Sequence, residues 1–262
     1  MCYKSQSWMN YLYKHKEMFD DKKIQLVTGL PNTAVIIEPR NTEMLELVIK
    51  NFMYYLHKDW SLMIIHGTDN VELVDEICKS LGEVYLINLN INNLSIQQYN
   101  QFCVNQDLYN IIPTENILMF QTDTILRKPI PNQFLEYVYV GAPWKTGLPW
   151  SEVTGGIGNG GLSLRKKSSM LHIIRHYKHP YKGIMNEDIY FSMGCQYLKM
   201  NRPSYDLAKT FSVETVFYPD PIGLHKPHFS EDECKEMLSI SHFPPSPETR
   251  TECQLVINSD SV

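Results

Sequence analysis

The sequence predicts a single-domain α/β fold, a sheet flanked by helices. Two observations lead there. Short apolar, β-branched runs alternate with segments whose apolar residues recur at helical spacing, the rhythm of βαβ units with right-handed crossovers. Several of these runs are continuously apolar rather than alternating, as strands covered on both faces require. A hydrophobic content of 43% in 262 residues is enough for one large core.

The elements follow in order. Thr33–Ile37 is a β-branched run ending at Glu38-Pro39-Arg40, and over Thr42–His57 the residues Met44, Leu45, Val48, Ile49, Phe52 and Tyr55 fall at helical intervals. Leu62–Ile65 reads as a buried strand closing on His66-Gly67-Thr68-Asp69-Asn70. Val71–Leu81 is amphipathic, and Glu83–Leu89 is the next strand. Tyr99–Tyr109 suits one further helix, and Ile117–Phe120 is a strand running into Gln121-Thr122-Asp123-Thr124. Past Pro129 the chain turns to short strands and glycine-rich loops, with helices near Lys167–Tyr177 and Glu187–Tyr197. This half reads as a decorated extension of the sheet. The domain is expected over 1–240, with 241–262, rich in Pro, Ser, Thr and Glu, a flexible tail.

A net charge of -5 and a pI near 6.0 exclude the broad positive field of a nucleic-acid binder. Neither a signal peptide nor an apolar stretch long enough to span a bilayer is legible, so a cytoplasmic protein is expected. Six scattered cysteines without a CxxC pair point to reduced, packed thiols.

Ligands of open α/β sheets sit beyond the carboxyl ends of the strands. Asp123 stands there, either as a hard oxygen ligand for a divalent cation or as a turn residue. Gly155–Gly161 formally contains GxGxxG, yet it runs into a strand-like Leu162–Arg165 rather than opening a helix, so it is no dinucleotide fingerprint. It is a hairpin loop or a place where backbone and Asn159 approach a sugar. Asn186-Glu187-Asp188 heads a helix: Asn186 as cap with two acids at the dipole's positive end, or Asp188 as a base toward an acceptor hydroxyl. His172 and His176, four residues apart, lie on the solvated face of their helix. Gly223-Leu224-His225-Lys226-Pro227 sets an imidazole beside an ammonium, one suited to a metal and the other to a phosphate. Trp144 and Trp150 lie in a loop rich in Gly and Pro, where packing as core aromatics is one reading.

Seven stretches, taken together and in order, resemble a glycosyltransferase-like family with bacterial and large-DNA-virus members, long labelled as of unknown function. They are Ile37–Arg40, His66–Asn70, Phe120–Leu126, Tyr139–Trp144, Gly158–Arg165, Asn186–Ser192 and Gly223–Pro227. The order is similar to the GT-A plan, and the resemblance implies a Rossmann-type mixed sheet flanked by helices. It implies a nucleotide-binding half over about 30–128 and an acceptor and catalytic half over about 129–240. It further implies transfer of a sugar from a nucleoside diphosphate sugar, commonly a UDP-sugar, to an acceptor hydroxyl, inverting and assisted by Mn²⁺ or Mg²⁺. In host cells of a virus the compartment would be the cytoplasm.

By the same resemblance Asp123 and His225 are the metal ligands, Asn159, Gly160 and Gly161 the donor-sugar loop, Lys226 a diphosphate partner, and Asp188, with Glu187, the catalytic acids. Glu38, Arg40 and Asp69 are placed beside base and ribose, Gln121 and Thr122 in the metal-motif turn, and Trp144 and Trp150 at the acceptor. One departure is plain: Gln121 stands where a DxD motif has its first acid. Two other readings stay open, a catalytically inactive sugar-binding or scaffold protein and a sugar nucleotidyltransferase. The absence of glycine from Glu38-Pro39-Arg40-Asn41 weighs against the second.

Overall fold

In the computed structural model, the structure describes residues 7–20, 24–178 and 185–240, so the expected tail at 241–262 lies outside the described residues. A six-stranded mixed sheet forms the centre. Its strands are β1 (Asn32–Glu38), β2 (Trp60–His66), β3 (Tyr85–Asn88), β4 (Asn116–Phe120), β6 (Tyr139–Gly141) and β7 (Leu162–Lys166), in the order β3-β2-β1-β4-β7-β6. Strands β1 to β4 are parallel, β7 runs antiparallel to β4, and β6 antiparallel to β7. A smaller sheet, β5-β9-β8, is made of β5 (Thr124–Leu126), β8 (Ser212–Val213) and β9 (Gly223–His225).

The sequence pattern explains the layering. Strands β1 and β2 are buried at every position, whereas edge strand β3 alternates between half-buried and exposed. Along β1, Ala34 and Ile36 point into one apolar cluster with the helix Met44–Leu56, while Val35 and Ile37 point into another. That second cluster holds Tyr109, Met170, Ile173 and Phe191. Phe52 stacks on Phe120 at 4.1 Å, pinning helix to sheet.

Three expectations are corrected. The segment expected as one helix over Tyr99–Tyr109 is two, Ile96–Cys103 and Gln106–Ile111, because Ser95 and Asn105 each cap a helix start with their own side chains. Asn186 occupies the cap position of Glu187–Tyr197 but makes no capping bond. Asn100 does that work, its Oδ1 accepting from the Glu187 N–H at 3.0 Å. Helices Tyr205–Phe211 and Glu231–Ser239 join those read from the sequence. The second is tied to β5 by Arg127, a fully buried guanidinium that donates to the carbonyls of Met237 and Ile240. No described helix is long and apolar enough to cross a membrane.

Candidate functional site

Register brings the site together. Thr124 of β5 lies opposite His225 of β9, so Asp123 and Lys226 meet at the end of that pair. Val213 of β8 lies beside Leu224, which brings Glu214 level with His225. In the main sheet Phe120 faces Leu162, so the Asn159–Gly161 loop stands at the same edge as Gln121. The carboxyl ends of β1 and β4 and the start of β7 therefore open on one cavity of about 450 Å³.

Asp123 Oδ1 and His225 Nε2 face each other at 3.4 Å, both buried and neither with a hydrogen-bond partner. Lys226, held at the left-handed φ of +40°, reaches Asp123 Oδ2 at 2.8 Å. The other imidazole nitrogen, Nδ1, donates to Asn159 Oδ1 at 2.9 Å, because the Asn159 amide nitrogen is itself donating to Glu214 Oε2 at 2.9 Å. This relay turns Nε2 toward Asp123. Burial disfavours charge on both members of the pair, but their mutual attraction prevails. The carboxylates of Asp123 and Glu214 raise His225 to about 9, and His225 and Lys226 hold Asp123 well below its ordinary value. Among the described residues no group of three or more His, Cys, Asp or Glu side chains forms a metal cluster. A divalent cation could use Asp123 and His225 only by displacing the imidazolium proton and this ion pair, the rest of its shell coming from water and phosphate.

Across the cavity, Asp188 accepts from the N–H groups of Ile189 at 2.7 Å and Gly160 at 3.3 Å. Burial, followed by the neighbouring Glu187 charge, raises its carboxyl to about 7. Glu187 itself points into the protein and is clamped by Arg165 at 2.9 and 3.0 Å, with the guanidinium lying over the rings of Tyr139 and Phe191. Glu187 was expected to share the catalytic work; its carboxylate is already committed to this pair.

The glycines permit the close approach. A side chain at Gly161 would run into the His225 ring, and one at Gly160 into Glu187 and the Asp188 Cβ. Gly160 thus sits behind the cavity wall, whereas Gly161 and Asn159 line it. A second cavity of about 190 Å³ adjoins the first and shares Asn159, Asn186, Asp188 and Glu214 with it; Trp144 and Trp150 line this second one.

Glu38, Arg40, Gln121, Thr122, Asp123, Asp188, His225 and Lys226 all line the larger cavity. Arg40 is paired with Glu38 at 2.6 Å, and Gln121 donates to the Tyr99 hydroxyl at 3.0 Å. Asp69 is left out: it is exposed and lines neither cavity. Its turn is spent on packing, with Asn70 donating to the carbonyls of Glu38 and Arg40 and accepting from the Gly67 N–H. Tyr99, Asn100, Glu214 and the apolar rim residues Leu94 and Ile96 were not anticipated. Glu214 directly follows β8, a strand of two residues that the sequence does not show.

An α/β domain whose strand ends gather an acid–imidazole pair, a lysine and a buried acid in one cleft is the class these features define. The chain belongs to the family described as "Protein of unknown function (DUF5672)", which matches residues 83–225. No curated protein matches the sequence. Similar solved structures include the apo-form glycosyltransferase GlyE of Streptococcus pneumoniae TIGR4, at 13% identity and a TM-score of 0.48, covering 76% of this chain and 55% of that one. Another is the mannosyltransferase PcManGT of Pyrobaculum calidifontis in complex with GDP-Man and Mn²⁺, at 11% identity and a TM-score of 0.46, covering 76% and 62%. TarS 1–349 of S. aureus follows at 13% and 0.43, covering 65% and 56%. The match spans less than two thirds of each of these proteins.

Proposed function

We propose that this protein is a glycosyltransferase that moves a sugar from a nucleoside diphosphate sugar, UDP-linked by preference, to an acceptor hydroxyl with inversion. The observation that supports it best is the pairing of two unlike ends in one cleft. At one end lie the orphaned Asp123–His225 atoms with Lys226, a place for a diphosphate and its cation. At the other lies Asp188, its proton affinity raised, on the wall shared with a second cavity.

In this reading residues 30–128 hold the nucleotide, with Glu38, Arg40 and Thr122 on the ribose side, and 129–240 carry the acceptor and the base. Asp188 takes the acceptor hydroxyl's proton. The freed oxygen pair bonds to the anomeric carbon, and the bond from that carbon to the diphosphate breaks with its electrons left on phosphate oxygen. Lys226 offsets the charge that develops there. A divalent cation, Mn²⁺ or Mg²⁺, held by Asp123 and His225 would supply further positive charge to the leaving group. Glu187 acts as the partner of Arg165, keeping the helix that carries Asp188 in place.

Thermal unfolding with UDP, GDP and CDP, each with and without Mn²⁺ or Mg²⁺, tests the donor site. A nucleotide at a hundredfold over Kd adds about 2.7 kcal/mol, a rise of roughly 2–4 °C per kcal/mol in a chain this size. One nucleotide shifting the transition only with metal is the expected result. No shift with any combination removes the donor reading.

A further inference from the structure

We infer that the smaller cavity binds a single saccharide ring carrying no phosphate, sulfate or carboxylate, the acceptor whose hydroxyl meets Asp188. The inference rests on the donor reading of the larger cavity for the word acceptor, but the pocket's own chemistry names the ligand.

At about 190 Å³ the cavity falls below the roughly 300 Å³ of pockets for drug-sized ligands, so it has room for one small ring. Its apolar wall comes from Ile189, the buried Trp144 and the half-buried Trp150, the last an indole suited to the C–H side of a pyranose. Its carboxylates are Asp188 and Glu214, neither Lys nor Arg lines it, and burial holds the His228 imidazole in its wall toward the neutral form. An anionic acceptor would therefore meet repulsion and no counter-charge. A wholly apolar one would strip water from two carboxylates and from the Asn186 amide without replacing its hydrogen bonds. A ring with one apolar face and a rim of hydroxyls satisfies both walls at once, its O–H groups donating to the carboxylates. Peptides, by contrast, are read along extended grooves or sheet edges, and this hollow is short.

Its position agrees with its chemistry. Asp188 and Glu214 line both cavities, so a hydroxyl bound in the smaller one lies beside the carboxylate of raised proton affinity while a donor occupies the larger. Trp144 is held by its backbone, its N–H donating to the Gly156 carbonyl at 2.9 Å and its carbonyl accepting from the Tyr205 hydroxyl at 3.2 Å. The platform is therefore fixed rather than recruited.

The four tryptophans make the test direct, because Trp8 and Trp60 are buried in the core away from either cavity. The full chain is titrated with methyl glycosides of glucose, galactose, mannose and N-acetylglucosamine, and with glucuronate and glucose 6-phosphate, following tryptophan fluorescence. Nucleotide affinity is measured in parallel by calorimetry. At least one neutral glycoside should give a saturable change and bind more tightly than the two anions. Trp150→Ala should weaken it by about fivefold to tenfold, the worth of one aromatic contact, and Trp150→Phe should restore most of the loss. Both variants should keep their nucleotide affinity. No saturable change with any neutral glycoside, a preference for the anions, or an affinity untouched by Trp150→Ala overturns the inference. Loss of nucleotide binding in the unmodified protein would overturn the donor reading while leaving the saccharide result to stand or fall by itself.

Discussion

Two of the ion pairs in the walls of this cleft, Glu187–Arg165 and Asp123–His225, are built in opposite ways. Glu187 and Arg165 close on each other with two contacts, Tyr109 and Ser163 fill the remaining guanidinium sites, and aromatic rings cover the charge. Asp123 and His225 meet at 3.4 Å in a more open setting, the Asp123 side chain being 31% exposed against 4% for Glu187. A closed pair holds a fold together; an open one leaves charge for something else to complete. Residue type does not make the difference, since the neighbours Glu187 and Asp188 have different partners, Glu187 the Arg165 guanidinium and Asp188 two backbone N–H groups.

Breaking the closed pair should do the greatest damage. Arg165→Met strands the Glu187 charge, and removing one partner of a buried pair costs about 3–5 kcal/mol. Urea unfolding measures it, and a midpoint shift worth less than about 1 kcal/mol would show the pair to be dispensable. Asp188→Asn should reduce transfer by about 10²–10⁴-fold, the range of a lost general base, while leaving nucleotide binding intact. Full activity with an accepted saccharide would remove Asp188 from that role. The same variant should be more stable at pH 8 by on the order of 1 kcal/mol. The sign follows from the raised value: the folded carboxyl holds its proton to about pH 7, so the destabilisation it causes grows between the ordinary carboxyl value and 7 and is complete above that. Transfer by the unmodified enzyme should correspondingly fall as pH drops below about 7.

His225→Ala touches the open pair, and it should weaken Mn²⁺-dependent nucleotide binding by about tenfold or more. Equal nucleotide affinities with and without Mn²⁺, in both proteins, would mean that the open pair holds no cation. Asp69→Ala should change neither nucleotide affinity nor stability measurably, as expected for an exposed residue outside both cavities.

Much of this was legible in the sequence, for a physical reason. Buried parallel strands read as continuous apolar runs, so β1, β2 and β4 announced themselves, and the polar residues after them followed by rule. Asp123 was flagged that way, whereas the resemblance pointed to Glu38 and to the Asn159–Gly161 loop, which stands before β7 rather than after a strand. The helices Val71–Leu81 and Glu187–Tyr197 matched to the residue. What stayed hidden depends on pairings between distant segments. Nothing local marks Asn100 as the group that caps a helix near residue 187, or Arg165 as the ion-pair partner of Glu187. Strand β8 is two residues long, so the rule that flagged Asp123 had no visible strand from which to flag Glu214. Asp69 was misplaced because its turn looks like a ligand loop, when its glycine and Asn70 serve the packing of the adjacent β1 turn.

The pairing of β5 with β9 also sets when this protein can work. Asp123 belongs to a segment that leaves the ribosome early and His225 to one that leaves late, and only three residues on each strand hold them in register. The six-stranded sheet draws its strands from residues before 167, so it can condense first and stand complete while the cleft is still half-built. A chain ending before β9 would have no His225 or Lys226 for Asp123, and it would also lose Leu224, Phe229 and Met237 from the core and the carbonyls of Met237 and Ile240 that hold Arg127.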